Sequence, residues 1–223
     1  MENEKPLLLL TEKEQRILGV LLEKSKTTPD YYPMTTAAIT TACNQKTSRN
    51  PIVNYDEETV ILTLNTLKIK GLTSTATGGG SRSIKYKHNL AIVYPLVPSE
   101  LAVICLLILR GPLTPGEINT NSARLHEFDT IEEIQEILQK LAAEEPPYVK
   151  QLSKKSGQKE ARFIHLFGGL PDEQAITDPE ITQHQNNHNE TIYRDNSELE
   201  DRVGKLEKEL EDIKEMLNIL LNQ

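Results

Sequence analysis

Cysteine is nearly missing from this sequence. Cys43 and Cys105 are the only two, far apart and outside any CxxC pair, which excludes a disulfide framework and a cysteine-rich structural zinc site. A reducing, cytoplasmic setting is the expectation. Long apolar runs are missing too: the longest, Leu101 to Leu109, is about half of the roughly 20 residues a bilayer-spanning helix needs. Tryptophan is absent and aromatics make up 4% of the chain, leaving few stacking platforms for single-stranded nucleic acid. Met1 to Pro6, followed by four leucines, has neither the basic region nor the longer apolar stretch of a secretory signal, so no export is expected.

What is present is 223 residues, 37% hydrophobic and 26% charged, enough for one or two ordinary cores. The net charge of −8 is unevenly spread: residues 171–223 hold 14 of the 33 acids and 5 of the 25 bases, leaving 19 acids and 20 bases before them. The body is close to neutral, so arguments about partners rest on local patches and not on the whole-chain charge.

Thr11-Glu12-Lys13-Glu14 places a hydroxyl three residues ahead of a carboxylate, the pattern in which each side chain satisfies the other's backbone amide at a helix start. Ile17, Leu18, Leu21 and Leu22 follow at helical spacing. A second helix is predicted over Thr36 to Cys43, ahead of a polar loop ending in Pro51. A third is predicted over Asp56 to Lys70, with Val60, Leu64 and Leu67 inward, acids in its first turn and lysines in its last, as the backbone dipole favours. Gly71 should stop it. Leu72 to Ala76 and Ile84 to Lys87 then read as strands around a loop of glycines, serine and Arg82. Three helices followed by a hairpin make a winged helix.

The order then repeats, and internal repetition decides a fold more strongly than any single motif. Pro98-Ser99-Glu100 opens another first helix whose body, Leu101 to Arg110, is almost wholly apolar and is expected to be buried between domains or at a subunit contact. Thr114-Pro115-Gly116-Glu117 combines a capping hydroxyl, proline at the first helical position and a carboxylate at the third. A matching third helix starts at Thr130, with Ile131, Ile134, Leu138 and Leu141 on one stripe. Strands are predicted over Tyr148 to Leu152 and Ala161 to Leu166.

After Gly168-Gly169 the chain turns polar and loses apolar periodicity. Leu199, Val203, Leu206, Leu210, Ile213, Leu217 and Leu220 then alternate gaps of four and three, the seam of a coiled coil. A parallel pairing sets Arg202 against Glu207 and Glu209 against Lys214, both attractive, although Asp195 faces Glu200. A homodimer is the expectation, with a tail helix packed on its own domains as the alternative. The predicted fold is therefore mainly α with small β-hairpins: tandem winged-helix domains over residues 1–94 and 95–170, a polar linker over 171–191, and a coiled-coil helix over 192–223.

Leu21-Leu22-Glu23-Lys24, Thr28-Pro29, Tyr32-Pro33, the run Thr41 to Thr47, Arg49 and Pro51 resemble the YceH family. The likeness continues through Leu109-Arg110-Gly111, Thr114 to Glu117, Ala123-Arg124, Glu127-Phe128 and His165-Leu166-Phe167, from about Leu10 to Gly169. It implies bacterial tandem winged helices with a helical tail, and it implies no activity. In the family's pattern the second helix of the second unit carries more arginine, where this chain has Asn119, Thr120 and Asn121.

In a winged helix that reads duplex DNA, the third helix enters the major groove while cations of the wing hold phosphates. Here Asp56, Glu57 and Glu58 lead one such helix, and Glu132, Glu133 and Glu136 lead the other, where a polyanion would be repelled. The cations lie elsewhere: Lys46 and Arg49 after the second helix, Arg82, Lys85 and Lys87 on the first wing, and Lys150, Lys154, Lys155, Lys159 and Arg162 on the second. The predicted function is a non-enzymatic macromolecule-binding protein, a DNA-binding regulator that contacts phosphates through its wings and the loop after helix two. A protein–protein scaffold without DNA binding is the alternative, and ordinary solvated lysines are the bland account of the same residues. No cofactor, small-molecule substrate or membrane partner is expected. Gly78 to Ser83 lacks the lysine and hydroxyl positions of a phosphate loop and follows a strand without opening a helix, His184 and His188 lack acidic or cysteine ligands at a known spacing, and Cys43, Cys105, His126 and His165 lack catalytic partners at a defining spacing.

Overall fold

The hydroxyl-and-carboxylate signals expected at Thr11 and Thr114 start helices in the folded chain, whereas the short helix at Leu90–Val93 has no such signal. In the computed structural model, which describes residues 6–76, 83–154 and 158–170, Thr11 Oγ1 accepts the Glu14 N–H at 3.3 Å and Glu14 Oε2 accepts the Thr11 N–H at 2.8 Å. Helix α1 then runs over Glu12–Thr27. Strand β1, Met34–Thr35, leads directly into α2, Thr36–Cys43, capped by the Thr35 hydroxyl. Helix α3 spans Glu57–Ile69, with Asp56 Oδ1 accepting the Thr59 N–H at 2.7 Å and Val60, Leu64 and Leu67 fully buried. Gly71 ends the turn that follows at φ 75°, a conformation only glycine adopts without strain. Strands β2, Thr73–Ala76, and β3, Lys85–His88, pair antiparallel with Thr73 opposite His88. Strand β1 adds to the other side of β3, giving a three-stranded sheet of order β1-β3-β2.

A single helical turn, α4 at Leu90–Val93, carries the chain to the second unit. Helices α5, Pro98–Arg110, α6, Pro115–Ser122, and α7, Ile131–Ala143, precede strands β4, Val149–Gln151, and β5, Phe163–His165. The pair β4 and β5 is antiparallel, with Val149 opposite His165. Where the first unit has β1, the second has one bridge: Leu113 and Phe163 exchange backbone hydrogen bonds of 3.1 and 2.8 Å. One expected core position moves outward. Ile131 is 41% exposed while Ile134, Leu138 and Leu141 are buried, because residue 131 is the first of α7 and precedes the turn that packs.

The repeat extends to a buried device. Glu14, at the third position of α1, accepts the ammonium of Lys70 at the end of α3 at 2.7 Å. Glu100, at the third position of α5, accepts Lys140 from α7 at 2.6 Å. Each glutamate is 3% exposed and also accepts its own helix's capping amide. One side chain thus starts the first helix of each unit and ties it to the third.

The two units share one continuous core. Helix α5 is buried from Ala102 to Leu109, as its apolar sequence requires, and its partner is α1. At Gly19 the two helices meet so closely that a Cβ would lie 2.7 Å from Ile108 Cγ2 and 2.8 Å from Leu109 Cδ2. Tyr94, between the units, packs on Tyr148 and Phe167 at centroid distances of 5.5 and 5.6 Å. Its hydroxyl accepts the Leu8 N–H at 2.8 Å. The expected boundary at residues 94 and 95 therefore falls between α4 and α5, beside the buried residues Tyr94 and Leu96. The linker over 171–191 and the heptad helix over 192–223 lie outside the described residues. Among the described residues no helix is long and apolar enough to cross a membrane.

Candidate nucleic-acid interface

Ten cations are candidates for phosphate contact, and the fold puts them to different uses. Arg49 is not a surface residue: its side chain is 0% exposed. It donates to both oxygens of Glu23 at 3.1 and 2.6 Å, to Gln45 Oε1 at 2.8 Å, and to the carbonyls of Ala42 and Ser48. Burial opposes ionisation of Glu23, yet the hydrogen bonds and charge of Arg49 outweigh it and hold the carboxyl below its ordinary range. Arg162 is likewise internal, 5% exposed, donating to the Pro112 carbonyl at 3.1 Å and to Glu117 at 2.6 Å. Both guanidinium groups pin a loop to a helix and are unavailable to a phosphate.

Lys85, Lys87, Lys154 and Lys159 sit on or beside the wing strands, and none has a carboxylate within ion-pair distance among the described residues. Lys87, Lys154 and Lys159 are exposed and Lys85 is half-buried. The Lys154 ammonium donates to the Lys159 carbonyl at 3.3 Å, which keeps these two bases together at the second wing. Lys150 is half-buried on β4. Arg82 and Lys155 lie outside the described residues, as do the seven heptad positions from Leu199 to Leu220. Lys46 is exposed but joins a different neighbourhood: it lines a groove of about 360 Å³ together with Lys24, Arg110 and Arg124.

The third helices confirm their acidic entry. Glu57 and Glu58 are exposed on α3, as are Glu132 and Glu136 on α7. Beyond its first turn α3 turns out apolar side chains, with Ile61 39%, Leu62 59% and Ile69 87% exposed. Neither helix offers a row of cations to a base edge.

A family described as a protein of unknown function, DUF480, matches residues 10–158. The chain is 44% identical over 218 residues to a UPF0502 protein of Shewanella piezotolerans, covering 96% of this chain and 98% of the relative. It is 40% identical over 220 residues to a UPF0502 protein of Aliivibrio fischeri, with 96% and 99% covered. A UPF0502 protein of Opitutus terrae is 45% identical over 167 residues, 74% of this chain and 73% of the relative. The chain belongs to the DUF480, or UPF0502, family. The resemblance read from the motifs points to the same bacterial group.

Two further cations of this UPF0502 chain, Arg110 and Arg124, lie away in sequence from the wings and from the loop after α2. Arg110 ends α5 and Arg124 follows α6, so no wing or hairpin marks them. Their signal in the sequence is the pairs Leu109-Arg110 and Ala123-Arg124, part of the resemblance to the YceH family. The folded chain brings Leu109, Arg110 and Arg124 to Glu23-Lys24 and to the loop after α2 at a single groove. The cysteines behave as small buried hydrophobes, with burial pushing the Cys43 thiol up to about 12 and Cys105 higher still than an ordinary thiol.

Proposed function

We propose that this protein is a non-enzymatic, macromolecule-binding regulator that holds duplex DNA by its phosphates through the two wings. The observation that carries this reading is the set Lys85, Lys87, Lys154 and Lys159, which flank the wing loops without a neutralising carboxylate among the described residues. Acidic first turns on α3 and α7 argue against base readout, so the binding has little sequence preference and a steep salt dependence. Two chains paired through the heptads from Leu199 to Leu220 double the contacts, in a cytoplasmic setting.

Fluorescence-anisotropy titration of the full chain against mixed-sequence duplex DNA across salt is the test. The logarithm of the affinity should fall with the logarithm of salt by about 0.9 per phosphate neutralised. Lys154→Glu with Lys159→Glu should weaken binding at every sequence alike and flatten that slope. No binding at low salt discards this reading in favour of a protein scaffold. The scaffold has its own support in Ile61, Leu62 and Ile69, which give α3 an outward face better suited to another protein than to a polyanion.

A further inference from the structure

The groove at the seam of the two units is built from the end of α1, the loop after α2, the end of α5 and the turn after α6, and encloses about 360 Å³. Four cations line it: Lys24, Lys46, Arg110 and Arg124. The carboxylate among its lining residues, Glu23, is already engaged by both nitrogens of Arg49 and by Lys24 at 3.2 Å. Lys46, Arg110 and Arg124 have no carboxylate at ion-pair distance among the described residues.

Positive charge at a helix end has an ordinary explanation in the backbone dipole, and Lys24 and Arg110 sit in the last turns of α1 and α5. Lys46 and Arg124 lie just past the ends of α2 and α6, so the dipole favours each cation singly but does not account for all four meeting at one groove. Arg110 is half-buried, and burial pulls its pKa below the usual guanidinium value. A neutral hydroxyl, Ser48 Oγ at 2.8 Å, is its hydrogen-bond partner. That serine is held at φ 61°, a left-handed conformation that a side chain disfavours and that recurs where backbone strain serves a site. Thr27, whose buried Oγ1 has no hydrogen-bond partner among the described residues, also lines the groove. Beneath these groups Leu106, Leu109 and Leu125 form an apolar floor.

We infer that this groove binds a small molecule bearing a phosphate monoester, up to the size of a mononucleotide, with its phosphate between Lys46, Arg110 and Arg124 and its body on the leucine floor. The forks of two arginines grip planar and tetrahedral oxyanions alike. With Lys46 they gather three cations, which a phosphate monoester of nearly two negative charges and three oxygens matches better than a singly charged carboxylate. The volume lies within the roughly 300–1,000 Å³ of small-ligand sites. The assignment does not require that the wings bind DNA.

Isothermal titration calorimetry of the full chain tests it, with adenosine 5′-monophosphate as the probe and adenosine as the control lacking the phosphate. The monophosphate should bind and adenosine should bind at least about tenfold more weakly. Lys46→Gln and Arg124→Gln, both at exposed positions, should each weaken monophosphate binding several-fold without lowering the Tm of the unliganded chain. No heat with the monophosphate, or binding unchanged in both variants, overturns the inference. A mixed-sequence duplex that displaces the monophosphate and loses its own affinity in the same two variants would make the groove a polynucleotide contact, which also overturns it. Monophosphate binding that survives Lys154→Glu with Lys159→Glu supports it, and failure of duplex binding alone leaves it standing while removing the wing reading.

Discussion

Arg49 and Lys154 carry the same charge, and their surroundings give it opposite uses. A guanidinium has five donors in a fixed fork and tolerates burial where each donor meets an acceptor. Arg49 finds Glu23, Gln45 and two carbonyls, the carboxylate coming from 26 residues away. Arg162 reaches Glu117 across 45 residues. Helix caps were legible because both partners lie within three residues, as in Thr11 and Glu14. Ion pairs across such separations leave no local trace, so these arginines looked the same as exposed ones. Removing one partner from a buried pair costs about 3–5 kcal/mol. Arg49→Met should lower the urea-unfolding free energy by about that amount, while Arg49→Met with Glu23→Met should recover part of it, since a matched apolar replacement is often nearly neutral. A loss below about 1 kcal/mol in the single variant would place Arg49 back on the surface, where ion pairs count for little.

At the scale of the element, α5 shows what periodicity reveals and what it leaves out. Its run of apolar residues predicted burial on all sides, and it is buried from Ala102 to Leu109. Nothing in that run named α1 as the partner, because contact requires a gap in α1 that only Gly19 supplies and a glycine in a helix has many other meanings. Alanine at Gly19 would gain roughly 1 kcal/mol of helix propensity and meet Ile108 and Leu109 side-chain carbons at 2.7–2.9 Å. Overpacking of this kind costs about 1–3 kcal/mol, so Gly19→Ala should lower the Tm. Gly116, at the second position of α6, has open space around its Cβ, with Thr114 Oγ1 the nearest atom at 4.0 Å. Gly116→Ala should therefore hold or raise the Tm. Thermal melts that put the two variants in the opposite order would contradict the close approach at Gly19. The strands were harder to read than the helices: β1 is two residues long, too short for an alternating pattern, and its counterpart at Leu113 is a single bridge.

For the molecule as a whole, acid should loosen the core before it protonates the carboxylates. Burial, with Lys26 nearby, lowers His88 to about 4, and burial lowers His165 to about 4, against an ordinary 6.5. Between those values the unfolded chain binds more protons than the folded one, so stability is full above pH 6.5 and falls as pH drops toward 4. Each histidine contributes at most about 1.4 kcal/mol per pH unit in that window. Below it, protonation of Glu14 and Glu23, both held under the ordinary carboxylate range, removes further stability. Urea midpoints measured from pH 7 down to pH 5 should decline, and His88→Gln with His165→Gln should flatten that decline; a midpoint independent of pH in the parent chain would contradict neutral, buried imidazoles.

Duplication usually leaves two copies that can drift, swing or be lost independently. Here the meeting at Gly19 withdraws that freedom, since deleting either copy would strip an oily helix bare. A hinge at residues 94 and 95 is therefore closed to this chain, because swinging one copy on the other would have to pull α1 from α5 and open the oil they share.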